Sequence, residues 1–165
     1  MGRTAGTEDD DLISCKKIRM DHVETRLALR ELTERYASHA DRRRDSAIAE
    51  LFTEDGTLVI EWGGGRPATT VRGHSEIAAA MRSLDRYRAT RHVIANQLLD
   101  FSGEQVRGET YCTASHVYDD ADGSRVFIME IRYDDTFAYD GGGWRFRQRR
   151  LVVDWTEDRQ LRGTK

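Results

Sequence analysis

Proline occurs once in this 165-residue chain and cysteine only twice. Cys15 lies in an expected N-terminal tail and Cys112 in an expected core strand, so neither a disulfide framework nor a metal-ligand spacing emerges. Neither metal nor cofactor is expected. No apolar run approaches the roughly 18 residues that a membrane span needs. The opening segment, Met1 to Asp11, lacks the apolar core of a signal peptide. Gly6 stands where an N-terminal acylation motif wants Ser or Thr. A cytoplasmic location with no membrane partner is the expectation. Charge of one sign is also missing: the net charge is −3, with both signs interspersed. Two basic clusters exist, Arg42-Arg43-Arg44 and Arg145-Arg147-Arg149-Arg150, but no aromatic signature of nucleic-acid binding accompanies them. The first suits a helix C-terminus, where cations oppose the dipole.

Charged residues make up 33% and hydrophobic ones 38%, which suits one globular domain with a single core. Residues 1–19 are polar and without periodicity and read as a flexible lead-in. One domain is expected over residues 20–157, then a polar tail over 158–165. From Met20 to about Ala40 apolar residues recur three or four apart (Val23, Leu27, Leu29, Leu32, Tyr36, Ala40), which predicts a helix, with Asp21 as its cap. A short helix is expected over Asp45 to Phe52, a turn at Thr53–Gly56, and a strand over Thr57 to Trp62. The loop Gly63-Gly64-Gly65-Arg66-Pro67 holds the lone proline. It resembles no phosphate-binding fingerprint, because no helix start and no Lys-Ser/Thr follow in register. A short strand at Thr69–Arg72 and a helix from Gly73 through Leu84 come next. Four long strands complete the chain: Thr90–Phe101, Val106–Tyr118, Arg125–Tyr139 and Trp144–Trp155. Strands this long curl. Helices first and long strands last predict an α+β fold: a curved antiparallel sheet wrapped on N-terminal helices.

Strand alternation puts His92, Ile94 and Asn96 on one face. If that face is inward, an imidazole and a carboxamide project into an apolar interior; otherwise His92 is a half-exposed surface histidine. In the next strand the even positions, Val106, Gly108, Thr110, Cys112, Ala114 and His116, are small or apolar and make the better inner face, which turns His116 inward. In the last strand Arg145, Arg147 and Arg149 alternate onto one face and Arg150 onto the other, and alternation leaves open which of Arg149 and Arg150 points inward. Tyr36 sits on the apolar stripe of the first helix with a hydroxyl that needs a partner. Asp41 stands at that helix's end, as a turn residue or as part of a site.

Tyr36-Ala37-Ser38-His39-Ala40-Asp41 and Ala49-Glu50-Leu51-Phe52-Thr53-Glu54-Asp55-Gly56 resemble the opening of SnoaL-like proteins of the nuclear transport factor 2-like superfamily. Thr90 to Asn96 is similar to their central strand, and Gly143-Trp144-Arg145-Phe146 through Trp155 to their closing strand. The resemblance spans roughly Val23 to Trp155. It implies a cone-shaped fold with a deep pocket at its wide end, used by dehydratases, a dehydrochlorinase, isomerases and polyketide cyclases, and by non-catalytic subunits. In its dehydratase-like branch it implies that His92 is a base, that Asp41 orients it, and that Arg149 is the closing-strand arginine. Tyr36 matches a tyrosine of the bile-acid 7α-dehydratase, where the dehydrochlorinase has lysine, and His116 lies about where scytalone dehydratase has a second histidine. A small hydrophobic cyclic substrate and a homo-oligomer, trimer ahead of dimer, are also implied.

That set is chemically coherent by itself. An unperturbed imidazole titrates near 6.5 and can accept a proton at neutral pH. A carboxylate on its other nitrogen fixes the tautomer. Tyr36 and Arg149 are donors for a developing oxyanion, each worth roughly 3 kcal/mol if well placed. The expected activity is a cofactor-independent lyase or isomerase. The alternatives are a cyclase or ketosteroid-type isomerase, with Asp41 as proton shuttle and His92 as donor, and a ligand-binding or subunit-like protein without turnover.

Overall fold

Apolar residues spaced three and four apart bring the first helix onto a curved sheet. The computed structural model describes residues 8–102 and 105–161, with side chains from residue 22 onward. Helix α1 (Glu8–Asp41) buries Leu29, Leu32, Tyr36 and Ala40. Val23 and Leu27, expected on the same stripe, are exposed. The early turns meet the sheet instead through Phe101, stacked on His22 at 4.5 Å and lying under the Arg26 guanidinium. The helix also starts earlier than periodicity indicates: the acidic run from Glu8 suits a helix N-terminus, and neither Gly nor Pro occurs between there and Asp41. The side chains of Cys15 and Asp21, residues 1–7, the turn residues 103–104 and residues 162–165 lie outside the described residues.

After α1 come α2 (Asp45–Ala49), β1 (Phe52–Glu61), β2 (Thr69–Arg72), α3 (Gly73–Met81), a 3-10 turn (Arg82–Arg86), β3 (Ala89–Asp100), β4 (Val106–Asp120), β5 (Gly123–Tyr139) and β6 (Trp144–Gln160). The segment Thr53–Gly56, expected as a turn, is part of β1, whose pairing with β6 is irregular there. The sheet order is β2-β1-β6-β5-β4-β3. It is mixed, curved and unclosed, and forms with the helices the α+β cone expected. The antiparallel expectation needs one correction: β1 and β6 run parallel, while the other pairings are antiparallel. Parallel neighbours need a long crossover, and here about half of the chain, residues 62–143, intervenes.

Two of the sheet's register shifts decide how the polar residues of β3 and the arginines of β6 face, because an extra residue reverses the alternation beyond it. In β3 the register shifts between Ile94 and Gln97. His92 and Ile94 face inward as expected, but Asn96 is exposed and Gln97 takes the inner position, its amide donating to Thr33 Oγ1 at 3.1 Å. In β6 the register shifts between Phe146 and Gln148, so Phe146 and Arg149 are both buried while Arg147 is exposed. Arg145, Arg147 and Arg149 therefore do not share a face. β4 has no such break, and its even positions line the interior.

The core is aromatic. Tyr36, Phe52 and Phe146 lie within 6.4 Å of one another between ring centroids, and Tyr133 and Phe137 extend the cluster. β3 is an edge strand, and α1 covers its open side: Asp41 accepts the His92 backbone N–H, and Arg30 donates to the Ile94 and Ala95 carbonyls. Edge groups satisfied this way cannot pair with another chain. Among the described residues no helix is long and apolar enough to cross a membrane.

Candidate active site

The end of α1 and the start of β3 meet at Asp41 and His92. Asp41 Oδ1 lies 2.7 Å from His92 Nδ1, and Oδ2 accepts the His92 backbone N–H at 3.1 Å. The Thr90 hydroxyl donates to Oδ1 at 3.1 Å. Burial pushes the Asp41 carboxyl up, but the bonds from His92 and Thr90 outweigh it and hold the group below the usual carboxylate range. An ionised carboxylate only accepts, so the proton of neutral His92 belongs on Nδ1 and Nε2 carries the lone pair. The His92 side chain is 6% exposed and that of Asp41 25%.

His116 comes from the inner face of β4 and is 2% exposed. Its ring meets His92 edge-on at 5.6 Å and packs on Tyr87 at 4.7 Å. Burial, and then the neighbouring His92, push the His116 imidazole down to about 4, so it is neutral at neutral pH. Its Nδ1 is buried without a hydrogen-bond partner among the described residues.

Tyr36 and Arg149 are brought to each other rather than to an open cavity. The Arg149 guanidinium lies over the rings of Tyr36, Tyr133 and Phe146 at 4.3, 4.1 and 4.0 Å. It is engaged in a bidentate pair with Asp135, Nε to Oδ1 at 2.9 Å and Nη2 to Oδ2 at 2.7 Å, with both side chains fully buried. Desolvation pushes the Asp135 carboxyl up against the pull of Arg149. A guanidinium keeps its proton throughout the ordinary pH range, and the bidentate geometry is that of an ion pair. The Tyr36 hydroxyl is raised by burial to about 12 and has a weak acceptor, Met81 Sδ at 3.7 Å. Arg149, not Arg150, is the inward residue; Arg150 pairs with Glu61 and Asp134 on the outside.

The resemblance implies one deep pocket bordered by all these residues, and the structure corrects that expectation. The cleft beside Asp41 and His92, about 700 Å³ and open, is lined by Arg30, Glu34, Ser38, Arg42 and Arg91 between α1 and β3. Tyr36, His116 and Arg149 lie instead in packed interior, because aromatic rings fill the space around the Arg149–Asp135 pair. Sequence reasoning missed Asp135 and Thr90. Asp135 carried a signal, a carboxylate in the alternating inner series Ile131, Tyr133, Asp135, Phe137; so did Thr90, which shares His92's parity. No group of three or more His, Cys, Asp or Glu among the described residues is placed to hold a metal ion.

A family model described as a SnoaL-like domain matches residues 21–150. Comparison with curated proteins gave no match. Among solved structures, a candidate scytalone dehydratase of Novosphingobium aromaticivorans is similar at 24% identity and a TM-score of 0.71, over 88% of this chain and 93% of that one. The hexachlorocyclohexane dehydrochlorinase LinA-type3 of Novosphingobium barchaimii has 15% identity and a TM-score of 0.72, over 88% and 99%. The beta subunit of a candidate aromatic-ring-hydroxylating dioxygenase of Novosphingobium aromaticivorans has 20% identity and a TM-score of 0.66, over 81% and 92%. At these identities the likeness establishes a shared fold.

The depressed His116 imidazole makes stability pH-dependent. Between about 6.5 and about 4 the unfolded chain binds a proton there that the folded chain refuses, so stability rises with pH across that window and is lost as pH falls through it. The contribution is up to about 3 kcal/mol. Urea unfolding of the wild type at pH 7 and pH 4.5 should show a larger loss than His116→Phe shows; equal losses would mean that His116 does not titrate as described.

Proposed function

The chain belongs to the family of SnoaL-like domains, and from that premise we propose that it is a cofactor-independent, dehydratase-like lyase or an isomerase acting on a cyclic or polyketide-derived small molecule. The observation that carries this reading is the 2.7 Å contact between His92 Nδ1 and Asp41 Oδ1, which leaves Nε2 as the basic atom. His92 Nε2 takes a proton from the carbon beside a carbonyl, and the electron pair moves onto the carbonyl oxygen. In a dehydration the resulting imidazolium gives that proton to the departing β-hydroxyl, releasing water; in an isomerisation it returns it to another carbon. Asp41 stabilises the imidazolium throughout. Its low carboxyl pKa makes it a poor base, which favours His92 over Asp41 as the proton shuttle. Tyr36 and His116 back the dyad from the packed interior rather than touching substrate, His116 through its edge-on contact with the His92 ring. Arg149 acts by stacking on Tyr36.

A second reading, a subunit-like or ligand-binding protein without turnover, is favoured by one observation: the Arg149 guanidinium is fully buried on Asp135, away from the open cleft. The protein is further proposed to work in the cytoplasm as a homo-oligomer, trimer ahead of dimer, with neither nucleic acid nor membrane as partner. Exposed Val93, Leu98, Tyr111 and Trp155 on the outer sheet face support the assembly. Light scattering at micromolar concentration should give a multiple of the 18.9 kDa chain; a monomer would exclude it.

Incubation with a panel of cyclic ketones and β-hydroxy ketones in deuterium oxide tests the chemistry directly. The wild type should catalyse incorporation of deuterium beside the carbonyl, read by mass spectrometry. His92→Ala and Asp41→Asn should slow it by about 10²–10⁴-fold, the usual worth of a positioned base. Equal incorporation by His92→Ala would remove His92 from the reaction, and no incorporation from any member of the panel would support the second reading.

A further inference from the structure

Among the described residues, Arg43 is the non-glycine residue with left-handed backbone, at φ 57°. It follows Asp41 by two residues and ends α1. The Arg43 N–H donates to the Ala40 carbonyl at 3.2 Å and the Arg44 N–H to the His39 carbonyl at 3.0 Å. That pair of bonds closes a helix around a left-handed residue, a position where glycine is usual because a side chain is disfavoured there. A reason for arginine must therefore lie in its side chain.

That side chain reaches β3. Arg43 Nη1 donates to Thr90 Oγ1 at 2.7 Å and to the Ala40 carbonyl at 2.9 Å, and Nη2 donates to the Tyr87 carbonyl at 3.2 Å. A guanidinium cannot accept, so the Thr90 oxygen is the acceptor in this contact. A hydroxyl has one hydrogen, and the Thr90 hydrogen is thus directed to its other neighbour, Asp41 Oδ1 at 3.1 Å. This is the oxygen that meets His92 Nδ1. Asp41 also needs such help. As the last residue of α1 it sets a negative charge at the negative end of the helix dipole, where such a charge is disfavoured.

We propose that Arg43 and Thr90 are positioning residues: the guanidinium orients the threonine hydroxyl, and the hydroxyl holds the Asp41 carboxylate on His92 Nδ1, leaving Nε2 bare. The proposal rests on the reading of Asp41 and His92 as a catalytic dyad. It makes the left-handed turn a functional feature, because from that backbone the side chain folds back over the helix end to Thr90.

The test uses the apo protein labelled with nitrogen-15, with the His92 tautomer and the water-exchange rate of its Nδ1 proton read by NMR. The wild type should give the Nδ1–H tautomer with a protected proton. In Thr90→Val, which keeps the side-chain shape and removes the hydroxyl, that proton should exchange about tenfold faster, the worth of one hydrogen bond to a charged group. Thr90→Ser should restore wild-type exchange. Arg43→Gly, whose residue suits the left-handed backbone, should fold with an unchanged or higher Tm and still lose protection as Thr90→Val does. Wild-type protection in both Thr90→Val and Arg43→Gly would overturn the proposal and leave the dyad standing. An Nε2–H tautomer in the wild type itself would overturn the dyad, and the proposal with it. If Arg43→Gly does not fold, the Thr90 pair decides.

Discussion

The carboxylate of Asp41 holds two things at once. One oxygen satisfies a backbone N–H on the open edge of the sheet, and the other holds the imidazole that this edge strand carries. The same group therefore closes the fold at its exposed strand and sets the orientation of the His92 imidazole. A helix that ended elsewhere would leave the β3 edge unpaired and His92 free to rotate. Fold and site are coupled here through one residue, and the coupling is polar, which is why Thr90 and Arg43 gather around it.

A second polar contact, Arg149 with Asp135, governs the interior. Both side chains are fully buried and ringed by aromatic groups. Removing either partner would strand a charge in a medium that cannot solvate it, whereas together they form two charge-assisted hydrogen bonds, with Arg149 Nη1 left buried and without a partner among the described residues. This arrangement fills the space in which the family resemblance implies a pocket. It also changes what Arg149 contributes: a guanidinium fully buried on Asp135, outside the lining of the open cleft, supports Tyr36 from behind.

Much of this was legible in the chain. The even positions of β4 read correctly as the inner face because no bulge interrupts that strand, and His116 was placed by them. Asp41 and His92 were visible as residues at a helix end and near a strand start. Their mutual approach was implied only by resemblance, since periodicity within one element says nothing about which elements touch. Asn96 was misplaced, and the arginines of β6 wrongly grouped, for a single reason: a β-bulge adds one residue that alternation cannot foresee. The parallel pairing of β1 with β6 is likewise a property of topology. The pairing of Arg149 with Asp135 depends on the register between β5 and β6, which alternation within either strand does not give.

The central claim is that Asp41 and His92 act as one unit. The most direct measurement is a double-mutant cycle on deuterium incorporation, comparing His92→Ala, Asp41→Asn and the double variant with the wild type. Residues that work as a unit are non-additive, because once the imidazole is gone its orienting carboxylate has nothing left to orient. The double variant should therefore be no slower than His92→Ala alone. Losses that multiply, with the double variant slower than His92→Ala by the full factor of Asp41→Asn, would mean that the two side chains act independently and would contradict the account.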